Sequence, residues 1–207
     1  MKQKKLKLNM ATRFRGLLPV VVDVETSGLN PLTDGLLEIA AITLIMDKQG
    51  VLCPDSAYFY AVEPFVDAHF DPESLAITQI DPTLPLRYAV TEQHALHRLF
   101  ANIKKSVEQA GCQRAVLVGH NAWFDLAFIQ AAIKRCQFRS APFHSFTTLD
   151  TATLSAVALG ETILARALKA AKISFDLNQA HSALYDAEKT AELFCYIVNG
   201  ANHAGFK

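Results

Sequence analysis

The chain has 207 residues, of which 51% are hydrophobic, and its formal net charge is zero. This length and composition suit one domain with a large core, and no apolar run approaches the roughly 20 residues that we expect of a membrane span. A lysine-rich start without an apolar segment is not typical of a secretory signal, and four dispersed cysteines without a Cys-x-x-Cys pair favour reduced thiols in a cytoplasmic protein.

The charges are unevenly distributed along the chain. Six basic residues and no acidic ones precede Gly16, whereas the remainder carries fourteen basic and twenty acidic residues, a net charge of −6. A basic arm on an acidic body is typical of a protein with a polyanionic partner and a carboxylate-rich metal site. We expect residues 1–12 to form a disordered arm and residues 13–207 a single domain. Arg13 and Arg15 are candidates for phosphate contacts, and a solubilising tail is the alternative for residues 1–9.

The first predicted strand carries two acids. A run of β-branched residues after Pro19 predicts a buried strand that contains Asp23 and Glu25 near its end. Because side chains two positions apart on a strand point to the same face, the two carboxylates project together. Burying two like charges is costly without a positive neighbour, and Mg²⁺ and Mn²⁺ prefer oxygen ligands. The alternative is an exposed strand end with two solvated acids.

The following elements predict a mixed sheet. Two strands over 36–46 and 58–62 continue the first one as an antiparallel meander, with turns over 28–35 and 47–54. Asp71 and Thr91 are typical helix caps for helices that end near residues 79 and 110. The rest is predicted as short strands over 115–118 and 146–149 and helices over 122–136, 151–159, 161–172 and 182–198. The fold class is therefore α/β, a central sheet with an antiparallel meander plus parallel strands, flanked by helices.

Two further acids and one histidine complete a candidate site. Asp125 lies in the first turn of a predicted helix, and Asp186 lies at the edge of the buried stripe of the last helix. Each acid alone is explained by the helix dipole, but four acids near strand and helix ends can converge in the crevice of an open α/β sheet. His181, on the turn before Asp186, suits a general base. A surface or capping histidine is the alternative.

Three segments taken together resemble the motifs of the DEDDh family of 3′–5′ exonucleases. They are Asp23-Val24-Glu25-Thr26, the sequence GHNAWFD from Gly119 to Asp125, and HSALYD from His181 to Asp186. Each motif alone is weak, whereas their order and spacing are specific. The similarity to an RNA-trimming branch of this family covers nearly all of the chain after residue 12, including the segments 13–16, 37–43, 111–112, 142–146 and 191–195.

The resemblance implies a ribonuclease H-like fold and removal of 3′-terminal nucleotides from single-stranded RNA and DNA as nucleoside 5′-monophosphates. Asp23, Glu25 and Asp186 would ligate two Mg²⁺ ions, for which Mn²⁺ could substitute, and Asp125 would assist directly or through water. His181 would deprotonate the attacking water. The biological role implied is maturation and end turnover of tRNA and other stable RNAs.

The resemblance also implies an aromatic clamp for terminal bases. Phe124 and Phe146 match two clamp positions, and Glu73 matches a position that contacts the terminal base. Leu29 and Ile77 occupy the two positions where we expect phenylalanine. Aliphatic side chains cover a base without the aromatic stacking that contributes ~1–3 kcal/mol per base. The terminal-base preference therefore stays open at this stage, and core packing is the alternative role for all four clamp residues.

The implied quaternary structure is a homodimer. Arg13, Arg15 and Arg114 of one subunit would guide substrate into the site of the other, although the same residues are also explained as solvated surface charges. Two alternative functions lie within the family, a DNA proofreading subunit and an oligoribonuclease, and a third is a nucleic-acid-binding module without catalysis. The complete set of four acids and His181 favours an enzyme.

Overall fold

The structure is a computed structural model that describes residues 9–203, with side chains described up to residue 201. Its sheet has six strands in the order β4-β3-β2-β1-β5-β6. The strands are β1 Leu17–Thr26, β2 Leu36–Met46, β3 Leu52–Glu63, β4 Val90–Thr91, β5 Arg114–Gly119 and β6 Phe143–Asp150. The helices are α1 Met10–Arg13, α2 Pro72–Thr78, α3 Glu92–Gln109, α4 Trp123–Arg135, α5 Thr151–Leu159, α6 Leu164–Ala170 and α7 Ala183–His203.

Strand β1 lies inside the sheet and determines where the strand ends meet. It pairs antiparallel with β2 and parallel with β5, and β5 pairs parallel with β6. Val20, Val21 and Val22 are fully buried, as expected for a strand covered on both faces. The predicted mixed sheet with a β1–β2–β3 meander is therefore confirmed. Because β1, β5 and β6 run parallel, their carboxyl ends share one edge of the sheet.

Two groups of helices pack against the sheet. Helix α3 contacts β1, β2, β3 and β5 and also contacts α4, while α7 contacts β1, β2 and β3. Helices α5 and α6 pack against α7, where Leu168, Leu193 and Ile197 belong to a second, smaller hydrophobic cluster. This arrangement brings the amino ends of α4 and α7 towards the strand edge described above.

Several predicted boundaries differ from the structure. β3 begins at Leu52 rather than residue 58, because its exposed polar residues hide the strand pattern, and α7 continues to His203 rather than residue 198. The short helix α1 was not predicted. Asn9 caps this helix, and Met10 is buried in the main core. The folded domain therefore begins before residue 13, the boundary predicted from the sequence. Residues 1–8 of the arm predicted over 1–12 lie outside the described residues.

One stretch is comparable in length and mean hydropathy to a membrane span. Thr151–Ala170 has 20 residues with a mean hydropathy of 1.2, which is enough by length and composition to cross a membrane. Glu161, Arg166 and Lys169 interrupt this stretch, so it is not a continuous apolar run. In the structure Gly160, with a φ of +73°, divides the stretch into α5 and α6.

Candidate active site

The two acids of β1 lie in an environment that opposes their ionisation. Glu25 is buried and pairs across the strands with Glu38 of β2. Desolvation, followed by the charges of Asp186, Glu38 and Asp125, raises the pKa of Glu25 to about 8. Desolvation and the same acidic neighbours raise the pKa of Asp23 well above its ordinary value. A cluster of this kind is stabilised when a cation neutralises it.

Asp125 reaches the cluster because α4 begins directly behind β5. At Gly119 a Cβ would lie 3.1 Å from the Ala122 Cα, so a side chain there would crowd the start of α4. The Ala122 N–H donates to Asp150 Oδ2 at 2.8 Å, which ties the helix start to the end of β6. The buried Asp125 accepts a 3.0 Å hydrogen bond from the Val24 N–H, and desolvation raises its pKa to about 7. Asp125 is thus held against β1 between Asp23 and Glu25.

His181 and Asp186 share one turn. His181 has a φ of +64°, and its backbone N–H donates to Asp186 Oδ2 at 3.0 Å. Potential ligand atoms of Glu25, His181 and Asp186 all lie within 4.8 Å of one another. Asp186 Oδ1 is buried and has no hydrogen-bond partner among the described residues. Since an orphaned buried carboxylate oxygen is unfavourable, this donor set fits a divalent cation.

Glu38 is a further member of this cluster that was not predicted as a site residue. Its Oε2 accepts a 3.3 Å hydrogen bond from the Ala183 N–H at the start of α7, and burial raises its pKa. Glu38 therefore joins β2 to the helix that carries Asp186. The signal was present in the sequence as one acid inside an otherwise apolar strand, but only the pairing with Glu25 gives that acid a role.

The two aliphatic clamp positions are exposed near the site. Leu29, on the turn between β1 and β2, is 78% exposed, which excludes core packing. Arg135 stabilises the turn that carries Leu29, because its guanidinium donates to the Pro31 carbonyl at 2.9 Å. The same guanidinium forms a 2.6 Å ion pair with the buried Glu92. Ile77, at the end of α2, is 56% exposed and lines a cleft of 490 Å³ together with His181.

Glu73 and the two aromatic clamp positions have different surroundings. Glu73 is exposed in the first turn of α2. Phe124 is half-buried against Phe128, with ring centroids 5.0 Å apart. Phe146 is 79% exposed because it lies on a bulge of β6. Ala115 of β5 pairs with Phe143 and Leu117 pairs with Thr148, so β6 contains more residues than β5 between these two pairs. Core packing is therefore excluded for Phe146, whereas one side of Phe124 packs against the core.

The three arginines lie together but away from the acids. Arg13, Arg15 and Arg114 line one cleft of 630 Å³ at the amino end of β1. Since a strand rises ~3.3 Å per residue, the distance along β1 from this end to Glu25 is on the order of 25 Å. Lys104 and Arg139 line neighbouring clefts that share Arg114. The structure thus groups these basic residues without bringing them to the acidic cluster of the same chain.

The sequence is similar to known nucleases along most of its length. Residues 20–194 match the RNase T model, which describes an exonuclease family. Ribonuclease T of Citrobacter koseri is 55% identical over 190 residues, which cover 92% of this chain and 88% of that protein. Ribonuclease T of Salmonella typhimurium shows the same identity and coverage.

Solved structures of exonucleases share the fold. Escherichia coli Exonuclease I in complex with a dT13 oligonucleotide superposes with a TM-score of 0.68 at 17% identity, covering 91% of this chain and 42% of that one. A full-length 3′-exonuclease gives a TM-score of 0.70 at 13% identity, covering 89% of this chain and 61% of that one. The chain thus spans less than half of Exonuclease I, and these likenesses concern the fold.

Proposed function

The chain belongs to the RNase T exonuclease family and is a 3′-to-5′ exonuclease that acts on nucleic-acid ends, and from this premise we propose its substrates, cofactor and assembly. The substrates are single-stranded 3′ ends of RNA and DNA, including tRNA, and the products are nucleoside 5′-monophosphates. The observation that carries this proposal is the convergence of Glu25, His181 and Asp186 within 4.8 Å at the carboxyl end of β1. The 55% identity to ribonuclease T supports RNA as a substrate.

The proposed cofactor is Mg²⁺, with two ions in each site and Mn²⁺ as a substitute. Asp23, Glu25 and Asp186 would hold the ions, with Asp125 assisting. The raised pKa values of these acids and the unpaired Oδ1 of Asp186 support a positive charge at this place. When bound, the ions supply electrostatic stabilisation of the attacking and leaving oxygens.

His181 is the proposed general base. Its exposed imidazole borders the cleft beside Ile77, where water has access, whereas Glu25 and Asp125 are buried. The hydrogen bond from its backbone to Asp186 holds the turn without occupying the ring nitrogens. The neutral ring therefore accepts the proton of the water that attacks the terminal phosphodiester. The leaving 3′ oxygen then departs with the shortened strand.

The proposed assembly is a cytoplasmic homodimer in which one exonuclease domain per chain carries out maturation and end turnover of tRNA and other stable RNAs. The separation between the arginine cleft and the acids of the same chain supports this arrangement, because the cleft can serve the site of a second copy. The excess of positive charge in that cleft supports contacts with phosphates.

A time course on 5′-labelled single strands tests this function directly. In Mg²⁺ we expect stepwise shortening from the 3′ end with release of 5′-monophosphates, and no shortening by an Asp23→Asn variant. A Glu63→Gln variant changes an exposed acid of β3 and serves as the matched control. Binding of the strand without shortening in Mg²⁺ or Mn²⁺ would favour a non-catalytic binding module instead.

A further inference from the structure

Trp123 is a large aromatic side chain that neither the catalytic cluster nor the clamp uses. It is the single tryptophan of the chain and is 68% exposed at the start of α4. Its ring lies edge-on to Phe124, with centroids 5.8 Å apart and an interplanar angle of 87°. Exposed indole surface is unfavourable in water, and such surface is common at binding sites.

The helix geometry places Trp123 on the side of α4 that faces β6. Residues seven positions apart share one face of a helix, so Trp123 lies above Gln130. The Gln130 side chain donates to the Ser145 carbonyl at 2.6 Å, and Ser145 directly precedes the exposed Phe146. At the start of α4, Asp150 of β6 accepts a hydrogen bond from the Ala122 N–H. The Trp123 ring thus lies on the β6 side of α4 and meets the ring of Phe124 at the helix start. We term Trp123, Phe124 and Phe146 together the aromatic track.

The aromatic track continues the active site. Phe124 directly precedes Asp125, whose carboxylate is bonded to β1, so one end of the track begins at the acidic cluster. Single-stranded nucleic acid exposes base faces that stack on aromatic side chains without sequence preference. A strand whose 3′ end lies at the acids would present its upstream bases to the rings beside Asp125.

We propose that Trp123 stacks on a base of the single strand upstream of the nucleotide held at Phe124. This inference rests on the proposed function and extends it to a contact beyond the clamp. Since Leu29 and Ile77 offer no aromatic surface, Trp123 supplies a third stacking platform beside Phe124 and Phe146.

Intrinsic fluorescence tests the contact, because the signal of the single tryptophan reports on Trp123 alone. A His181→Ala variant in Mg²⁺ is titrated with a ten-nucleotide oligodeoxyadenylate. We expect saturable quenching with a Kd that matches the value from fluorescence anisotropy of a labelled strand. Binding by anisotropy without a change in tryptophan emission would overturn the inference.

Variants with otherwise wild-type sequence separate stacking from a structural role. Trp123→Leu should raise KM for the ten-nucleotide strand by on the order of 10-fold, with kcat and dinucleotide hydrolysis unchanged, and Trp123→Phe should restore most of the loss. Tyr196→Leu is the matched control, since Tyr196 is an exposed aromatic ten residues beyond Asp186 on α7, about 15 Å along the helix.

The outcomes distinguish this inference from the proposed function. A wild-type enzyme that shortens strands while Trp123→Leu has an unchanged KM leaves the function intact and overturns the contact. A wild-type protein that shortens no strand overturns the function, and the fluorescence titration still tests the contact. An equal loss with strands of two and ten nucleotides, or a changed oligomeric state of Trp123→Leu, would assign Trp123 a structural role and overturn the inference.

Discussion

The Val24 N–H donates a 3.0 Å hydrogen bond to Oδ1 of Asp125, a residue 101 positions away in the sequence. Val24 lies on β1 between the two acids of the first motif, and Asp125 lies in the first turn of α4. This bond orients a buried carboxylate next to Asp23 and Glu25. The protein thus concentrates several acids where desolvation raises their pKa values, which has a measurable effect on stability.

The metal-free protein should become less stable as the pH rises. The pKa of Glu25 is about 8 in the folded protein against an ordinary value of 4.5. A raised folded pKa means that its contribution is complete below about pH 4.5 and is lost as the pH rises through about 8. In EDTA, Glu25→Gln should therefore have a higher Tm than the wild type near pH 8.5 and nearly the same Tm near pH 5. Each kcal/mol of difference in the free energy of unfolding should shift the Tm by ~2–4 °C. Differential scanning calorimetry measures both values.

Glu63→Gln is the control for this comparison, since Glu63 is exposed. Adding Mg²⁺ should raise the Tm of the wild type more at the higher pH, because binding competes with protons for the carboxylates. A wild-type Tm that is flat between pH 5 and 8.5 and unaffected by Glu25→Gln would contradict the prediction.

Replacing His181 should separate chemistry from binding. A general base contributes about 10²–10⁴-fold to the rate, so His181→Ala should lose kcat by that order while its Kd for a single strand stays unchanged. His97→Ala, on an exposed face of α3, should behave as the wild type. Weaker strand binding as the main effect would instead indicate a substrate contact.

Aromatic substitutions should strengthen the clamp. Leu29→Phe and Ile77→Phe place rings at two exposed positions near the site, and each should tighten strand binding by ~1–3 kcal/mol. We also expect the dependence of the shortening rate on the terminal base to differ from that of the wild type. Val157→Phe adds a ring at an exposed position of α5 and should change neither property. Unchanged Kd values for both substitutions would show that the terminal base lies elsewhere.

The arginine cleft should act through phosphates. Arg114→Ala should weaken binding about equally for all sequences and reduce the slope of log K against log salt by roughly 1. Arg166→Ala removes an exposed charge from α6 and is the control. Titrations of a labelled strand at several salt concentrations give the slopes.

A mixing experiment tests whether the cleft serves the other subunit. A triple variant Arg13→Ala, Arg15→Ala, Arg114→Ala and a His181→Ala variant should each be weakly active, whereas their mixed dimers should regain activity. In such a dimer the intact cleft of one chain serves the intact site of the other. Mixed dimers that form without a gain in activity, or a monomeric wild type, would exclude action between subunits.

The local elements of this protein follow from residues that are close together in the chain. Asp71 and Thr91 cap α2 and α3 as predicted, because a cap depends on a side chain and a backbone amide three residues away. The alternation that directs Asp23 and Glu25 to one face is likewise local. The motif spacing around Asp125 and His181 identified the family, but no local pattern placed those residues near one another.

The contacts of these residues depend on how distant segments of the chain pack together. The pairing of Glu25 with Glu38 depends on the register of two strands, and the exposure of Phe146 depends on a bulge of β6 against β5. The side of α4 that carries Trp123 follows from the contact of Gln130 with Ser145. Periodicity predicts that a helix or strand forms, whereas register and helix orientation result from packing between segments far apart in the chain, so the pattern of one segment does not contain them.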